Sequence, residues 1–307
     1  MMTVGTEDDG IVWPVKQREL VKWVVDSRKW NDFHMRDDDI IISTWSKSGT
    51  SWMQQIVGQL VFAGSKDIYG PDLSPWIDTR LAPNELERAA ALTHRRFLKT
   101  HLPIDTVVYS PKAKYIYIAR DGRDTYWSWH NHHANFTPEA LAAISAMYPG
   151  EPAAGYPNPD IRLAFLDWLD RDGHPNWPFW SHVQGWFDAR ALPNLKLVHF
   201  ANLKADLPGQ IDEIAAFLEI PINPAQRDAI IDHCTFEYMS GVAIRSAELD
   251  PILRGGGATF FHKGTNGRWR DVLSADDVAR YNAEVARNLT PDAAVWLEVG
   301  RLPDEAG

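Results

Sequence analysis

The run Ile40-Ile41-Ile42-Ser43-Thr44-Trp45-Ser46-Lys47-Ser48-Gly49-Thr50-Ser51-Trp52 constrains the fold more than any other stretch of the chain. Three consecutive β-branched residues read as a buried parallel strand, because a strand covered on both faces need not alternate. Small polar residues follow as a tight turn, and Met53, Ile56, Val57, Leu60 and Val61 then recur at helical spacing. A strand feeding a helix through such a turn aims several backbone N–H groups and the positive helix end at one spot, which suits an anion. Lys47 adds a full positive charge to that spot, and Ser48, Thr50 and Ser51 add hydroxyls around Gly49. The plainer reading is an ordinary strand–loop–helix connection with a surface lysine. The clustering of donors favours a cradle for a phosphate-like group.

The cradle departs from the usual nucleoside-triphosphate loop, which needs Gly-Lys followed by Ser or Thr with the hydroxyl on magnesium. Here Lys47 precedes Gly49 by two residues, and no apolar strand ending in a magnesium-binding Asp stands out. A metal-free diphosphate-like group, such as a mixed phosphate–sulfate anhydride, fits better.

Three further strand signals follow: Arg96–Thr100, stopped by Pro103, then Lys114–Ala119 ending at Arg120, and Leu195–Phe200. Helical patterns separate them, notably Asp124–Asn135, and Gln210–Leu218 with Pro208 near its start. Strands alternating with helices predict an α/β fold, a central parallel sheet flanked by helices in one domain. Ligands of such sheets sit at the carboxyl ends of the strands. Thr44, Thr100, Arg120 and Phe200 fall at or near those ends, with the core expected over about residues 38–240. Residues 136–178, rich in proline and glycine, break the pattern and read as a lid or mobile surface. Residues 245–269, with Gly255-Gly256-Gly257, read as a second flexible segment.

The 31 basic and 41 acidic residues give a formal charge of −10, which argues against nonspecific nucleic-acid binding. An anionic ligand must be drawn by a local basic pocket. The single cysteine, Cys234, excludes an internal disulfide and suits a reducing, cytoplasmic setting. No long apolar segment or charged-then-apolar leader is visible, so no membrane span is expected. The tryptophans are mostly expected to pack the core, although Trp76, Trp127, Trp129, Trp177 and Trp180 fall in segments that could line an apolar cavity.

A strand-end arginine such as Arg120 can grip a phosphate by paired hydrogen bonds, and Ser128 on the next helix can donate to the same oxygens. Arg123 reads instead as an ion pair at the surface with its flanking aspartates. The cluster His130-Asn131-His132-His133 invites a metal, but residues two apart on a helix do not share a face, and no metal is expected.

In order along the chain, these motifs resemble those of the cytosolic sulfotransferase family, a P-loop-like fold using 3′-phosphoadenosine 5′-phosphosulfate (PAPS) and releasing adenosine 3′,5′-bisphosphate. Thr44–Trp52 is similar to that family's Thr-Tyr-Pro-Lys-Ser-Gly-Thr-Thr-Trp loop for the 5′-phosphosulfate. Arg120 with Ser128 resembles its 3′-phosphate motif, and His262-Lys263-Gly264-Thr265-Asn266-Gly267-Arg268-Trp269 resembles Arg-Lys-Gly-x-x-Gly-x-Trp, with His262 in place of arginine. The resemblance implies that Trp52 and Phe236 face the adenine, with Phe200 near it. It also implies His101, in Lys99-Thr100-His101-Leu102-Pro103, as general base for a small hydroxyl acceptor. Lys47 would stabilise the leaving phosphate, with Lys99 and Ser128 supporting the same chemistry. Trp76 and His132 would join His101 at the acceptor. A nucleotide kinase and a non-catalytic nucleotide-binding homologue are the competing readings. The family's dimer motif is not clear, since Arg270, Ser274, Ala275 and Ala279 stand at its places, and homodimerisation is left open.

Overall fold

The computed structural model describes residues 10–66, 68–147, 155–244, 251–261 and 264–302. Strands β1 (Ile40–Ser43), β2 (Phe97–Thr100), β3 (Lys114–Ala119) and β4 (Leu195–His199) form one parallel sheet in the order β2-β1-β3-β4. In register, Ser43 lies beside Thr100 and Tyr117, and Ala119 beside His199, so the carboxyl ends form a single rim. The β1-to-β2 and β3-to-β4 connections cross over through helices, whereas β2 leads to β3 through a loop with one 3-10 turn, Ile104–Thr106. Among the helices are α1 (Thr50–Val61), α2 (Gly122–Ala134), α3 (Ile161–Asp170), α4 (Phe179–Asp188), α5 (Leu207–Phe217), α6 (Pro224–His233), α7 (Ala275–Asn288) and α8 (Pro291–Val299).

Side-chain alternation along β1 and β3 divides the core into two layers. Ile40, Ile42, Ile116 and Ile118 pack under Met53, Ile56, Val57 and Leu60 of α1 and Ile211 and Ile214 of α5. Ile41, Tyr115 and Tyr117 face an aromatic layer that includes Trp168, Phe179, Trp186 and Trp296 from α3, α4 and α8. Burial on both faces is why Ile40–Ile42 shows no polar alternation.

Element boundaries differ from the sequence reading where side chains cap the ends. Asp121 accepts from Arg123 N at 2.8 Å and starts α2 two residues early. Asp206 likewise starts α5 ahead of Pro208 by accepting from Gly209 N at 3.0 Å. His199 Nδ1 accepts from Ala201 N at 3.2 Å, so β4 ends there and Phe200 opens a short helix, Phe200–Ala205. The segment expected as a lid or mobile surface is largely packed where it is described. It contributes the helix Pro138–Ala146 and α3, and it buries Phe165, Trp168 and Trp177 in the aromatic layer. Among the described residues no helix is long and apolar enough to cross a membrane.

Candidate active site

The anion cradle occupies the rim between β1 and α1. Gly49 is the N-cap residue of α1, and its φ of 120° is one that side-chain-bearing residues rarely adopt. A Cβ there would lie 2.7 Å from Ile118 Cδ1 and 3.0 Å from Phe200 Cδ2. The cradle is therefore pressed onto the sheet at this point. Lys47 also sits in the left-handed region, at φ 69°, a conformation that for a lysine costs about 1–3 kcal/mol and concentrates at ligand clamps. Ser48 and Thr125 hydroxyls lie 3.3 Å apart, and Thr125 donates to the Arg120 carbonyl at 3.3 Å, tying the cradle to α2. Gly49→Ala should lower stability by about 1–3 kcal/mol through overpacking and should weaken nucleotide binding. Urea denaturation and calorimetry check this, and unchanged values would show that the close approach is not required.

His101 stands directly after β2 and is only 4% exposed. Its Nδ1 lies 2.7 Å from the Thr44 carbonyl, which can only accept, so Nδ1 carries the proton and the Nε2 lone pair is free. The ring lies against the edge of Trp76 at 5.0 Å and stacks on Trp177 at 5.8 Å. Burial first, and then the Lys99 charge, holds its pKa well below the usual histidine value. Lys99 places Nζ 4.0 Å from the centroid of the Trp76 ring. Trp76 is anchored by its indole N–H on Asp78 at 3.0 Å and by Glu85, which accepts its backbone N–H at 2.7 Å. Burial pushes Lys99 down to about 8, against the opposing pull of Asp78 and Glu85.

On the far side of the cradle, the buried Arg120 guanidinium lies 4.2 Å from the Phe200 ring centroid. It donates to Asn266 Oδ1 at 2.7 Å and to the Thr265 carbonyl at 3.1 Å. Asp124 accepts from Gly267 N at 2.7 Å, so the 264–267 loop is held at two points, by Arg120 just after β3 and by Asp124 in the first turn of α2. Ser128, one turn beyond Asp124, is partly buried on the same helical face. Sequence reasoning missed Asn266 and Asp124, because no motif links residues so far apart. Arg123 does pair with Asp121, at 2.5 Å, but the pair is buried under Trp269 and Tyr281 rather than at the surface.

Trp52 packs edge-on to Phe200 at 5.3 Å, and its indole N–H donates to the Cys234 carbonyl at 2.9 Å. Phe236 follows on the helix Phe236–Ala243 and is 39% exposed. Gly264, at φ 59°, approaches it so closely that a Cβ would meet its ring at 2.9 Å. Phe200 packs behind Gly49 and against the Arg120 guanidinium as well as the Trp52 ring. His262 and Lys263 lie outside the described residues.

His132 packs edge-on to Phe260 at 5.8 Å and to Phe136 at 5.0 Å. The Phe260 ring centroid lies 4.6 Å from Lys47 Nζ, so Lys47 and His132 share one aromatic neighbour. Among the tryptophans expected near a cavity, Trp127 and Trp180 are core residues, because both are enclosed by neighbouring aromatic rings. Trp129 lines a separate groove of about 410 Å³ with Tyr126, Tyr156 and Trp168. The remaining histidines of the cluster are spoken for: His130 Nε2 lies 2.8 Å from the Asn158 carbonyl, and His133 Nδ1 2.9 Å from the Trp129 carbonyl. Among the described residues no group of three or more His, Cys, Asp or Glu side chains is arranged to hold a metal.

Positive charge thus gathers at one rim of an acidic chain. Burial, followed by repulsion from Lys99 and Arg120, pushes Lys47 down to about 7, and burial pushes Arg120 down to about 10. Arg268, next to the loop that Arg120 holds, has a buried Nε–H without a hydrogen-bond partner. Cations arranged to repel one another, beside a glycine cradle, fit a polyanionic ligand.

Comparison with known proteins decides which one. The Sulfotransferase domain family matches residues 37–290. The chain belongs to the sulfotransferase family. The glycolipid sulfotransferase of Mycobacterium bovis is 31% identical over 91% of this chain and 93% of its own length. Sulfotransferase 2A6 of Rattus norvegicus is 26% identical over 87% of this chain and 90% of its own length. The structure of mouse sulfotransferase SULT7A1 complexed with PAP has the same fold, with a TM-score of 0.69 at 21% identity over 88% of this chain and 92% of that one. This chain is therefore a PAPS-dependent sulfotransferase, and the kinase reading falls.

Proposed function

We propose that this sulfotransferase moves the sulfuryl group of PAPS to a hydroxyl of a small acceptor, a phenol or alcohol, with His101 as general base and Lys47 stabilising the leaving phosphate. PAPS supplies an activated sulfuryl group on a mixed phosphate–sulfate anhydride. The observation that supports this reading best is the His101 tautomer. With Nδ1–H committed to Thr44 in the cradle, Nε2 is an unprotonated acceptor fixed to the loop that carries Lys47. Nε2 takes the proton of the acceptor hydroxyl as its oxygen attacks sulfur. Lys47 meets the negative charge developing on the bridging oxygen as the sulfur–oxygen bond breaks. Lys99 on Trp76 adds positive potential beside the acceptor, with Trp76 and His132 flanking it. Trp52 and Phe236 supply apolar surface for the adenine. Arg120 and Ser128, with His262, Lys263 and Gly264, serve the 3′-phosphate.

The direct test is incubation with sulfur-labelled PAPS and a panel of phenols, aliphatic alcohols, steroids, amines and a glycolipid, the last because of the mycobacterial relatives' name. Label on a hydroxyl is expected. Tight binding of the bisphosphate product with no transfer to any acceptor would favour the non-catalytic homologue.

Arg120→Ala should weaken adenosine 3′,5′-bisphosphate binding by about tenfold to a hundredfold, the range for one charge-assisted contact. Adenosine 5′-phosphosulfate, which has no 3′-phosphate, should bind the variant and the wild type alike. Equal weakening of both nucleotides in titration calorimetry would remove the 3′-phosphate assignment.

A further inference from the structure

Helix α4 sends two donors to the turn that carries His101. His182 and Trp186 are four residues apart and so share a helix face. They address consecutive carbonyls: His182 Nε2 lies 3.2 Å from the His101 oxygen, and Trp186 Nε1 donates to the Leu102 oxygen at 3.2 Å. The other His182 nitrogen, Nδ1, lies 3.0 Å from the Tyr117 hydroxyl on β3. A carbonyl cannot donate, so Nε2 holds the His182 proton and Nδ1 accepts from Tyr117. Tyr117 in turn stacks on Trp186 at 5.4 Å with the rings 9° from parallel. His182 and Tyr117 are both wholly buried, and burial keeps His182 neutral at working pH by pushing it down to about 3.

His101 is consequently gripped at both ends. Its ring is fixed by the Thr44 carbonyl, and its backbone by His182. A proton acceptor must hold its geometry within about 0.5 Å to be effective. We propose that His182, with its tautomer locked by Tyr117, is a positioning residue that holds the base by its main chain. This inference rests on the reading of His101 as the base. Two features separate it from ordinary packing. Both histidine nitrogens are committed in a defined order, and the receiving carbonyl belongs to the base itself rather than to a remote turn.

The test compares His182→Gln, His182→Leu, Tyr117→Phe and His101→Ala in the full-length protein. Glutamine can donate from Nε2 to the His101 carbonyl and accept from Tyr117 on Oε1, whereas leucine fills the space without either bond. His182→Leu is expected to lower kcat by about tenfold to a hundredfold, the scale of a misplacement near 1 Å. The Kd for adenosine 3′,5′-bisphosphate should stay unchanged, and His182→Gln should keep kcat within about threefold of wild type, well inside that loss. The loss should be larger for a simple alcohol than for 4-nitrophenol, whose acidic proton leaves with less help from a base. Tyr117→Phe, which removes one hydroxyl from a stack that remains, should lower kcat in the same acceptor-dependent way and keeps the test available if the leucine variant does not fold. Equal losses in the glutamine and leucine variants, or a loss independent of acceptor acidity, would overturn the proposal. If His101→Ala kept full turnover, the base reading itself would have failed. If His101→Ala lost turnover while His182→Leu and Tyr117→Phe kept theirs, only the positioning role would be wrong.

Discussion

Lys47→Ala should lower kcat by about two to three orders of magnitude with the fold intact, the usual cost of losing one preorganised charge at a developing anion. The fold should survive because Lys47 Nζ leans on the Phe260 ring and the strained cradle backbone is held by Ser48 and Gly49. The same residue gives nucleotide binding a distinctive pH dependence. Without ligand, burial followed by the Lys99 and Arg120 charges holds Lys47 near 7, so at pH 8 most of it is neutral. A bound polyanion favours the protonated form and raises that value. Binding must then take up a proton between the free and bound pKa values, and affinity must fall as pH rises above about 7. Lys99, held near 8 in the free protein, extends the fall to higher pH. Calorimetry of adenosine 3′,5′-bisphosphate in two buffers of different ionisation enthalpy measures the uptake directly. Lys47→Ala should keep only the part that Lys99 supplies. Full proton uptake in that variant would remove Lys47 from the binding role, and an unchanged rate with saturating PAPS would remove it from the catalytic one.

What the sequence disclosed follows the distance over which each interaction acts. The cradle was legible because β1, the turn and α1 are contiguous, and the apolar strand of Ile40–Ile42 announces burial on both faces. Arg120 and His101 were legible because each directly follows a strand, and a parallel sheet gathers such positions on one rim. The partners of these residues were not. Asn266 reaches Arg120 from 146 residues away, and His182 reaches His101 from 81. No local spacing encodes either pairing. The aspartates flanking Arg123 foretold its ion pair, but only the rings of Trp269 and Tyr281, supplied from the C-terminal third, put that pair out of solvent. Aromatic residues misled in one direction: Trp127 and Trp180 satisfy a cavity-lining reading and a core reading equally well in sequence. Their exclusion from solvent depends on α3 and α7, which contribute Phe165 and Tyr281. The proline-rich stretch before α4 misled in the other, since its buried Phe165, Trp168 and Trp177 outweigh the loop signal of its prolines.

His101→Ala should abolish most turnover, by about 10²- to 10⁴-fold, while leaving adenosine 3′,5′-bisphosphate affinity in place. The side chain touches Thr44, Trp76 and Trp177 rather than the arginine side of the cradle, which is why binding should survive. An acidic phenol should suffer less than an alcohol, because the proton that the base removes is already easily lost. The pH profile separates this residue from Lys47. The base must be neutral to act, and burial together with Lys99 keeps its pKa well below the usual histidine value. Lowering the pH from 7 toward 6 should therefore leave the His101 contribution undiminished, and an acid limb should appear only well below 6.5. The limb met first should be the alkaline one, where free-enzyme Lys47 loses its proton near 7 and kcat/KM for PAPS declines. In Lys47→Ala that alkaline limb should shrink, leaving the part due to Lys99, and in His101→Ala it should persist on whatever activity remains. An acid limb at the ordinary histidine value that disappears in His101→Ala would show the base to be solvated during turnover, in a site more open than the packing of Trp76 and Trp177 allows. Collapse of nucleotide affinity in the same variant would make His101 a ligand of the nucleotide rather than the base.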